Sequence, residues 1–302
     1  MGVVAGAEET LADLLGDGSA TAIVCADDGV RTSYDQLAEN VDEVAARLSG
    51  LGIDRGDRVA LVIPDGPDLL ALLLGVTALG AAAAPLNPAY TRDEFAFYFD
   101  DLSPSAVILA EGDGASAREA MGSELRVLEA RGAQVAGARA TGYERAQPED
   151  IALLLHTSGT TSRPKQVPLR HRNLTVSARS IAAFYGLTDV DVSYCAMPLF
   201  HVHGLVASAL AALSAGGSVV VPRSVLPRRM WGHFTEFGVT WLSAGPTLHS
   251  MALERRAEAR VPATLRFVRS CSSALSPALL EQCEADYGVP MLEERWRERR
   301  AA

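Results

Sequence analysis

Apolar residues recur along the first part of the chain in two alternating patterns, one typical of helices and one typical of buried strands. Over residues 32–51, apolar side chains are spaced three and four positions apart, which predicts an amphipathic helix. Ser33 and Gln36 match the capping-box pattern at its start. The short apolar run over residues 58–63 that follows predicts a buried strand.

The same alternation continues through most of the chain. We predict further helices over residues 69–79, 91–99, 174–185, 229–237, 247–254 and 277–287, and strands over residues 81–86, 106–110, 151–155, 218–221, 240–243, 265–270 and 289–292. Alternating elements of these lengths favour an α/β fold with mostly parallel sheets covered by helices.

One segment interrupts this alternation. Residues 111–150 are rich in glycine, alanine and charge and lack strong periodicity. We therefore predict two packed α/β subdomains, one over residues 11–150 and one over residues 151–292. Residues 293–302 form a charged tail without a core-forming pattern, which indicates an altered ending or an interaction helix.

The stretch over residues 69–86 carries no charge and approaches the length of a membrane span. Gly75, Gly80 and Pro85 interrupt it, and alanine dominates its second half. A buried helix followed by a buried strand therefore explains it better than a membrane span. The N-terminus carries Glu8 and Glu9 and no basic residue before them, which is unlike a signal peptide.

Composition narrows the functional classes further. The chain has 302 residues, 48% of them hydrophobic and 21% charged, which is a globular balance. A net charge of −10 disfavours sequence-independent binding to nucleic acid, although a local basic pocket for a small anion stays open. The four cysteines form no C-x-x-C pair, so we expect no cysteine zinc site and a reducing, cytoplasmic location.

The most informative segment is a hydroxyl-rich loop directly after the strand at 151–155. Residues 157–162 read Thr-Ser-Gly-Thr-Thr-Ser, and Arg-Pro-Lys follows. Hydroxyls and backbone N–H groups can wrap polyphosphate, Gly159 allows close approach, and Lys165 adds a positive charge. The loop is not a Walker A motif, because Pro164 stands where the second glycine is required. Taken alone, a turn rich in serine and threonine can also be an ordinary polar turn on the surface.

TSGTTSRPK, residues 157–165, resembles the phosphate-binding signature of the adenylate-forming superfamily, which includes acyl-CoA synthetases, luciferases and nonribosomal adenylation domains. Further stretches resemble the family in the same order: residues 34–61, residues 80–90 (GAAAAPLNPAY), residues 198–205 (PLFHVHGL), residues 240–249 (TWLSAGPTLH) and residues 269–277 (RSCSSALSP). The resemblance spans about Leu11 to Leu292. The combination of TSRPK with RSCSSALSP is most similar to the oxalate–CoA ligase branch.

The resemblance implies the fold of an incomplete N-terminal domain and a two-step reaction. A carboxylic acid would attack ATP, with Mg²⁺, to give an acyl-adenylate, and coenzyme A would then displace AMP. The implied nucleotide-binding residues are Thr157, Ser158, Gly159, Thr160, Thr161, Lys165, Ser272, Ser273 and Ala274. His201 and Gly245 would contact the acid, and Lys165 and His201 are the implied catalytic residues.

Two histidines near the implied acid pocket leave alternatives open. On an extended strand, His201 and His203 would point to one face and could ligate a metal ion. No third ligand stands at a recognisable spacing, so we expect no metal site there. His203 alone is typical of a buried histidine with satisfied hydrogen bonds, and the resemblance favours a substrate-site role for His201.

Two departures from the family bear on activity. Gln166 stands where the family usually has glycine after the motif lysine. After residue 292, the resemblance does not extend to four further features of the family. They are the tyrosine–glycine–x–threonine–glutamate motif, the ribose-binding aspartate, the hinge, and the C-terminal domain with its adenylation lysine. We therefore expect the chain alone to bind ATP weakly and to be impaired in adenylation. A separate C-terminal piece as partner, a noncatalytic nucleotide-binding or interaction remnant, and a nonfunctional fragment are the alternatives.

Overall fold

The computed structural model describes residues 8–157, 164–256 and 261–293. The strands are β1 (Thr21–Cys25), β2 (Arg31–Ser33), β3 (Arg58–Val62), β4 (Ala82–Pro85), β5 (Ala106–Ala110), β6 (Arg126–Arg131), β7 (Gln134–Val135), β8 (Ile151–Thr157), β9 (Lys165–Arg170), β10 (Val192–Cys195), β11 (Ser218–Val221), β12 (Trp241–Ala244), β13 (Phe267–Ser270) and β14 (Met291–Glu293).

The helices cover both faces of the sheets that these strands form. They are α1 (Tyr34–Gly50), α2 (Pro67–Ala78), α3 (Arg92–Leu102), α4 (Ala115–Ala120), α5 (His171–Tyr185), α6 (Val202–Gly204), α7 (Ala211–Ser214), α8 (Pro227–Glu236), α9 (Pro246–Glu254) and α10 (Pro277–Tyr287). A 3₁₀ turn at Ala12–Leu14 precedes them, and a π-helical segment, Leu205–Leu210, joins α6 to α7.

Local sequence signals set several helix ends. The Ser33 side chain accepts a hydrogen bond from the Gln36 backbone N–H, and the Gln36 side chain accepts one from Ser33, so the predicted capping box of α1 is confirmed. Thr91 and Glu94 make the same reciprocal pair at the start of α3. Gly288, in the left-handed conformation with φ 67°, ends α10.

The strands form two seven-stranded sheets. Sheet A has the order β14-β13-β12-β10-β11-β1-β2, and sheet B has the order β7-β6-β5-β3-β4-β8-β9. All pairs are parallel except β1 with β2, β6 with β7 and β8 with β9. The predicted α/β class with two helix-covered, mostly parallel sheets is therefore confirmed.

The two sheets exchange strands across residue 150. β1 lies near the N-terminus but pairs with β11 in sheet A, where Val24 aligns with Val220. β8 follows residue 150 but pairs with β4 in sheet B, where Ala83 aligns with Leu153. The division into subdomains at residue 150 stays a prediction, and the sheets do not follow it. Residues 294–302 of the charged tail lie outside the described residues, and Glu293 ends β14.

The segment 111–150 contains elements that its composition did not indicate. It holds α4, β6 and the short β7 at the edge of sheet B. In β6 only Leu128 and Ala130 are buried, since the other side of the strand faces solvent. A single buried pair is too weak a pattern to distinguish a strand from a loop.

The helices and sheets stack in five layers. α1, α2, α5 and the 202–214 helical segment lie between the sheets, and one hydrophobic cluster contains residues from these helices and from both sheets, among them Leu61, Ile108, Val219 and Trp241. A second cluster packs α3 and α4 on the outer face of sheet B. A third packs α8, α9 and α10 on the outer face of sheet A. Because both faces are covered, the strand ends are where a polar site can form.

The uncharged stretch over residues 69–86 lies in this middle region. It forms most of α2, buried from Leu69 to Ala78, and the buried strand β4, as predicted. Among the described residues, no helix has the length and apolar character needed to cross a membrane.

Candidate active site

Three parallel neighbours in sheet A carry the predicted residues at their carboxyl ends. β10 pairs with β12, and β12 pairs with β13, all in the same direction. The loops that follow them therefore begin at one edge of the sheet, which is the usual place for ligands in open α/β folds. His201 follows β10, Gly245 follows β12, and Ser272 follows β13.

His203 is the hub of this edge. Its Nε2 lies 2.7 Å from Oγ of Ser243, and its Nδ1 lies 3.0 Å from Oγ of Ser272. The Sγ atom of Cys271 lies 3.1 Å from Nδ1 and 3.0 Å from Nε2. The ring thus links α6 to β12 and to the loop after β13. The interpretation of His203 as a buried histidine with satisfied hydrogen bonds is confirmed.

Burial also decides the charge of His203. Desolvation, with smaller contributions from Arg269, His249 and His201, lowers its pKa to about 4. The imidazole is therefore neutral at pH 7, so one ring nitrogen donates a hydrogen bond and the other accepts one. The ring is a polar, uncharged support beneath the edge of the sheet, and the buried Arg269 guanidinium donates to its partner Ser243 at 3.0 Å.

Ser272 has an unusual backbone conformation. Its φ is 74°, in the left-handed region that non-glycine residues rarely adopt. The bond to His203 and the bond from the Cys271 backbone N–H to the Ala244 carbonyl, at 3.2 Å, hold this turn in place. The turn leaves Ser272, Ser273 and Ala274 exposed at the edge of sheet A. Strained residues of this kind occur frequently at functional sites.

His201 lies on the exposed side of the same edge. Its backbone N–H donates to the Pro198 carbonyl at 3.1 Å, and its ring packs against Phe200 with 4.7 Å between centroids. Partial burial lowers the pKa of His201 below its usual 6.5, and the nearby Asp65 carboxylate opposes that shift. His201 is therefore mainly neutral at pH 7 and can donate or accept a hydrogen bond.

Gly245 lies between these two loops and begins α9. A Cβ atom built on Gly245 would lie 3.9 Å from the Cys271 carbonyl oxygen, which is an ordinary contact. Its φ of −78° also suits any residue. Glycine is thus not required here by conformation, although its position beside Cys271 places it at the predicted site.

The phosphate-binding segment belongs to sheet B. β8 and β9 are antiparallel, and Thr157 aligns with Lys165 at the end of the hairpin where the connecting loop begins. Both residues are exposed. Ser158, Gly159, Thr160 and Thr161 lie outside the described residues, so their predicted contacts stay predictions.

Near its loop end, the hairpin makes side-chain contacts that the sequence did not indicate. The His156 ring lies 2.8 Å from the Asp101 carboxylate and packs edge-on against Tyr98 at 4.7 Å. Gln166, the residue that replaces the family glycine, aligns with His156. Within the described chain, the side-chain nitrogen of Gln166 is buried and makes no hydrogen bond. A histidine directly before the hydroxyl-rich loop was the available signal for this support.

Two contacts connect the carboxyl ends of the two sheets. The Asp65 carboxylate, after β3, accepts a hydrogen bond from the Leu199 backbone N–H at 2.9 Å. The Asp68 carboxylate pairs with Arg223, after β11, also at 2.9 Å. The loop between β3 and α2 therefore contacts the same edge of sheet A that carries His201.

The comparison with known families agrees with this geometry. The sequence profile described as AMP-binding enzyme matches residues 15–294. The chain belongs to the AMP-binding enzyme family. The predicted membership of the adenylate-forming superfamily is confirmed.

Individual members of the AMP-binding enzyme family resemble the chain over most of its length. It is 39% identical over 282 residues to the oxalate–CoA ligase of Arabidopsis thaliana, with 86% of this chain and 54% of the relative covered. It is 36% identical over 275 residues to the oxalate–CoA ligase of Saccharomyces cerevisiae, covering 79% and 50%. The chain thus spans about half the length of these curated relatives.

A solved structure shows the same fold. ATP-bound MatB from Rhodopseudomonas palustris superposes with a TM-score of 0.82 at 27% identity, covering 94% of this chain and 58% of that chain. The match confirms the predicted fold, the N-terminal domain of an adenylate-forming enzyme, over that part of the solved chain.

Proposed function

We propose that the chain is the acid- and nucleotide-binding part of an ATP-dependent acid–CoA ligase. The observation that carries the proposal is that His201, Gly245 and Ser272 follow three neighbouring parallel strands and so lie at one edge of sheet A. The oxalate–CoA ligases among its relatives make a small dicarboxylic acid such as oxalate the first substrate to test. A reducing cytoplasm suits the four cysteines, none of which forms a disulfide with another.

The chemistry asked of these residues is positioning and charge stabilisation. A carboxylate oxygen of the acid bonds to the α-phosphorus of ATP, and the bond to pyrophosphate breaks. The thiol of coenzyme A then bonds to the acyl carbon, and AMP leaves. No covalent bond to the protein is required, so correct placement and electrostatics supply the catalysis.

The hairpin residues would bind the departing phosphates. The exposed ammonium group of Lys165 provides the positive charge, and Thr157 provides a hydroxyl opposite it in register. Ser158, Gly159, Thr160 and Thr161 are proposed to add further donors on the basis of the motif.

The edge of sheet A would bind the adenylate and the acid. Ser272, Ser273 and Ala274 expose backbone and hydroxyl groups there, next to the start of α9 at Gly245. The neutral imidazole of His201 can donate a hydrogen bond to the reacting carboxylate without binding it as an ion pair. This role would help place the carboxylate while leaving its oxygen nucleophilic.

Magnesium would neutralise phosphate charge when bound with ATP. Over residues 8–157, 164–256 and 261–293, no group of three or more His, Cys, Asp or Glu side chains is arranged to hold a metal ion. The described residues therefore do not fit a magnesium site by themselves, and no step of the proposal depends on one.

Calorimetric titration with ATP tests the nucleotide half of the proposal. Lys165 is the sole lysine of the sequence. We expect Lys165→Ala to weaken ATP binding about tenfold, as expected for losing one charge-assisted hydrogen bond. Arg170→Ala is the matched control, because Arg170 lies on the same strand, is exposed and pairs with Glu149 instead. Equal affinity in the wild type and Lys165→Ala would contradict the assignment.

A nucleotide-binding protein without adenylation activity is the second candidate, because Gln166 stands beside the motif lysine where the family usually has glycine. Oxalate-dependent exchange of labelled pyrophosphate into ATP separates the two candidates. The assay compares the 302-residue chain alone with the chain plus a second polypeptide carrying the remaining part of a relative. Exchange that requires both polypeptides supports a ligase assembled from two pieces, whereas ATP binding without exchange in either case supports the second candidate.

A further inference from the structure

The turn that carries His201 is held from several sides. Leu199, two residues before His201, is buried with 1% of its surface exposed. The Pro198 carbonyl accepts the His201 N–H, and a Cβ on Gly204 would approach the Pro198 carbonyl oxygen within 2.3 Å, so the backbone packs tightly here. The Cys195 thiol donates to the Met197 carbonyl at 3.3 Å. The backbone of this turn therefore has little room to move.

Among the hydrogen bonds of the described residues, one joins this turn to a residue of the sheet B side, and that residue is Asp65. Its carboxylate oxygen accepts the Leu199 backbone N–H at 2.9 Å across a sequence separation of 134 residues. A cavity of about 20 Å³ beside Asp65 has room for about one water molecule. No element of regular secondary structure requires a carboxylate at this point, because Asp65 lies in the loop between β3 and α2.

We propose that Asp65 is a positioning residue: its carboxylate, in the loop after β3 of sheet B, holds the turn that presents the His201 imidazole at the edge of sheet A. The role of His201 toward an acid rests on the proposed function. The coupling between Asp65 and His201 does not, so it can be measured separately.

The charges around the turn support this coupling. Burial raises the pKa of Asp65, while the Leu199 N–H and the nearby His201 lower it. Asp65 in turn raises the pKa of His201 against the effect of burial. Of the titratable groups near the turn, His203 and Cys195 are neutral at pH 7, since burial lowers the pKa of the first and raises that of the second. The Arg223 guanidinium lines the same cavity as Asp65 and is paired with the Asp68 carboxylate. Among these groups, Asp65 is therefore the one whose charge raises the pKa of His201.

NMR titration of the full 302-residue chain tests the proposal. His201→Gln identifies the His201 ring signal among the six histidines. In Asp65→Asn, which keeps an acceptor oxygen for Leu199 but removes the charge, we expect the pKa of His201 to fall by about half a unit, a roughly threefold loss of proton affinity. The Leu199 amide signal should titrate with the Asp65 carboxyl in the wild type and stop titrating in Asp65→Asn.

Asp68→Asn is the matched control. It removes the second contact to sheet A, the ion pair between Asp68 in the first turn of α2 and Arg223, and should leave the His201 titration unchanged. If Asp65→Asn does not fold, the reciprocal measurement uses the exposed partner: in His201→Gln the pKa of Asp65 should rise. An unchanged His201 pKa in folded Asp65→Asn, an equal shift in Asp68→Asn, or an unchanged Asp65 pKa in His201→Gln would overturn the proposal. Failure of ATP or oxalate binding would instead count against the proposed function alone.

Discussion

The edge of sheet A and the hairpin of sheet B are built in opposite ways. At the edge, the buried ring of His203 in α6 contacts the Ser243 hydroxyl on β12 and the Cys271 thiol and Ser272 hydroxyl after β13. At the hairpin, Thr157 and Lys165 are exposed and are aligned by the backbone pairing of β8 with β9. Internal hydrogen bonds maintain the shape of the edge of sheet A, whereas the hairpin presents the exposed charge of Lys165. Substitutions should therefore affect folding at the edge and only ligand binding at the hairpin.

Removing the hub of the edge should have the largest effect. His203→Ala leaves a cavity and takes a partner from Ser243 and Ser272, so we expect the free energy of unfolding to fall by about 3 kcal/mol. Urea unfolding followed by circular dichroism measures it. His201→Ala, at an exposed position two residues away, is the control, with a loss below about 1 kcal/mol. Equal losses in both variants would show that the buried network does not stabilise the edge.

Lowering the pH should lower the free energy of unfolding through His203 as well. The folded pKa of His203 is about 4, below its usual 6.5, so the unfolded chain takes up the proton first as the pH falls. The contribution to stability is complete above about pH 6.5 and is lost progressively toward about pH 4. Between about pH 7.5 and about pH 5 we expect a loss of about 2 kcal/mol from this group.

Comparing unfolding at these two pH values in the wild type and in His203→Gln tests this linkage. His171, whose pKa burial also lowers to about 4, provides the comparison within the same molecule, since it lies at the start of α5. The pH dependence should shrink in His203→Gln and keep the share that His171 contributes. An unaltered pH dependence would contradict the buried, neutral state of His203.

A smaller effect isolates the backbone strain at the edge. Ser272→Ala and Ser272→Gly both remove the hydroxyl that contacts His203, but only glycine relieves the φ of 74°. We expect the glycine variant to be more stable than the alanine variant by about 1 kcal/mol. Thermal unfolding of the pair measures the difference, and equal stability would mean that the turn is not strained.

The hairpin should give the smallest change in stability. Lys165→Met removes an exposed charge, and we expect the free energy of unfolding to stay within about 0.5 kcal/mol of the wild type. A larger loss, measured by the same urea titration, would mean that the hairpin also has a structural role and would weaken the contrast with the edge.

Strong local signals predicted much of the fold. The bounds of β5, β11 and α10 agree with those expected from the pattern, because each combines an apolar run or period with a clear boundary residue such as Gly288. β9 was not predicted, since Pro168 interrupts it and alternate residues are exposed. β1 and β10 were also missed. Which strands pair could not be deduced, because β1 finds its partner β11 far along the chain.

The same limit applies to the site. The motif around Ser272 and the position of His201 were visible as stretches of sequence, and the structure brings them to one edge through His203. Asp65 carried no signal, because its partner Leu199 lies 134 residues away and the contact uses a backbone N–H that any residue provides. Local pattern thus indicated the residues at the surface of the site, while the contacts that position them follow from the packing of two sheets.

One NMR titration follows nucleotide binding at the hairpin and acid binding at the edge of sheet A in the same sample. Reductive ¹³C-methylation labels the side chain of Lys165, the sole lysine, and the His201 ring reports the edge of sheet A. We expect ATP to shift the Lys165 signal, oxalate added with ATP to shift the His201 ring signal, and neither ligand to shift the signal of the buried His171. ATP binding that leaves both Lys165 and His201 unmoved would contradict the assignment of the acid- and nucleotide-binding site.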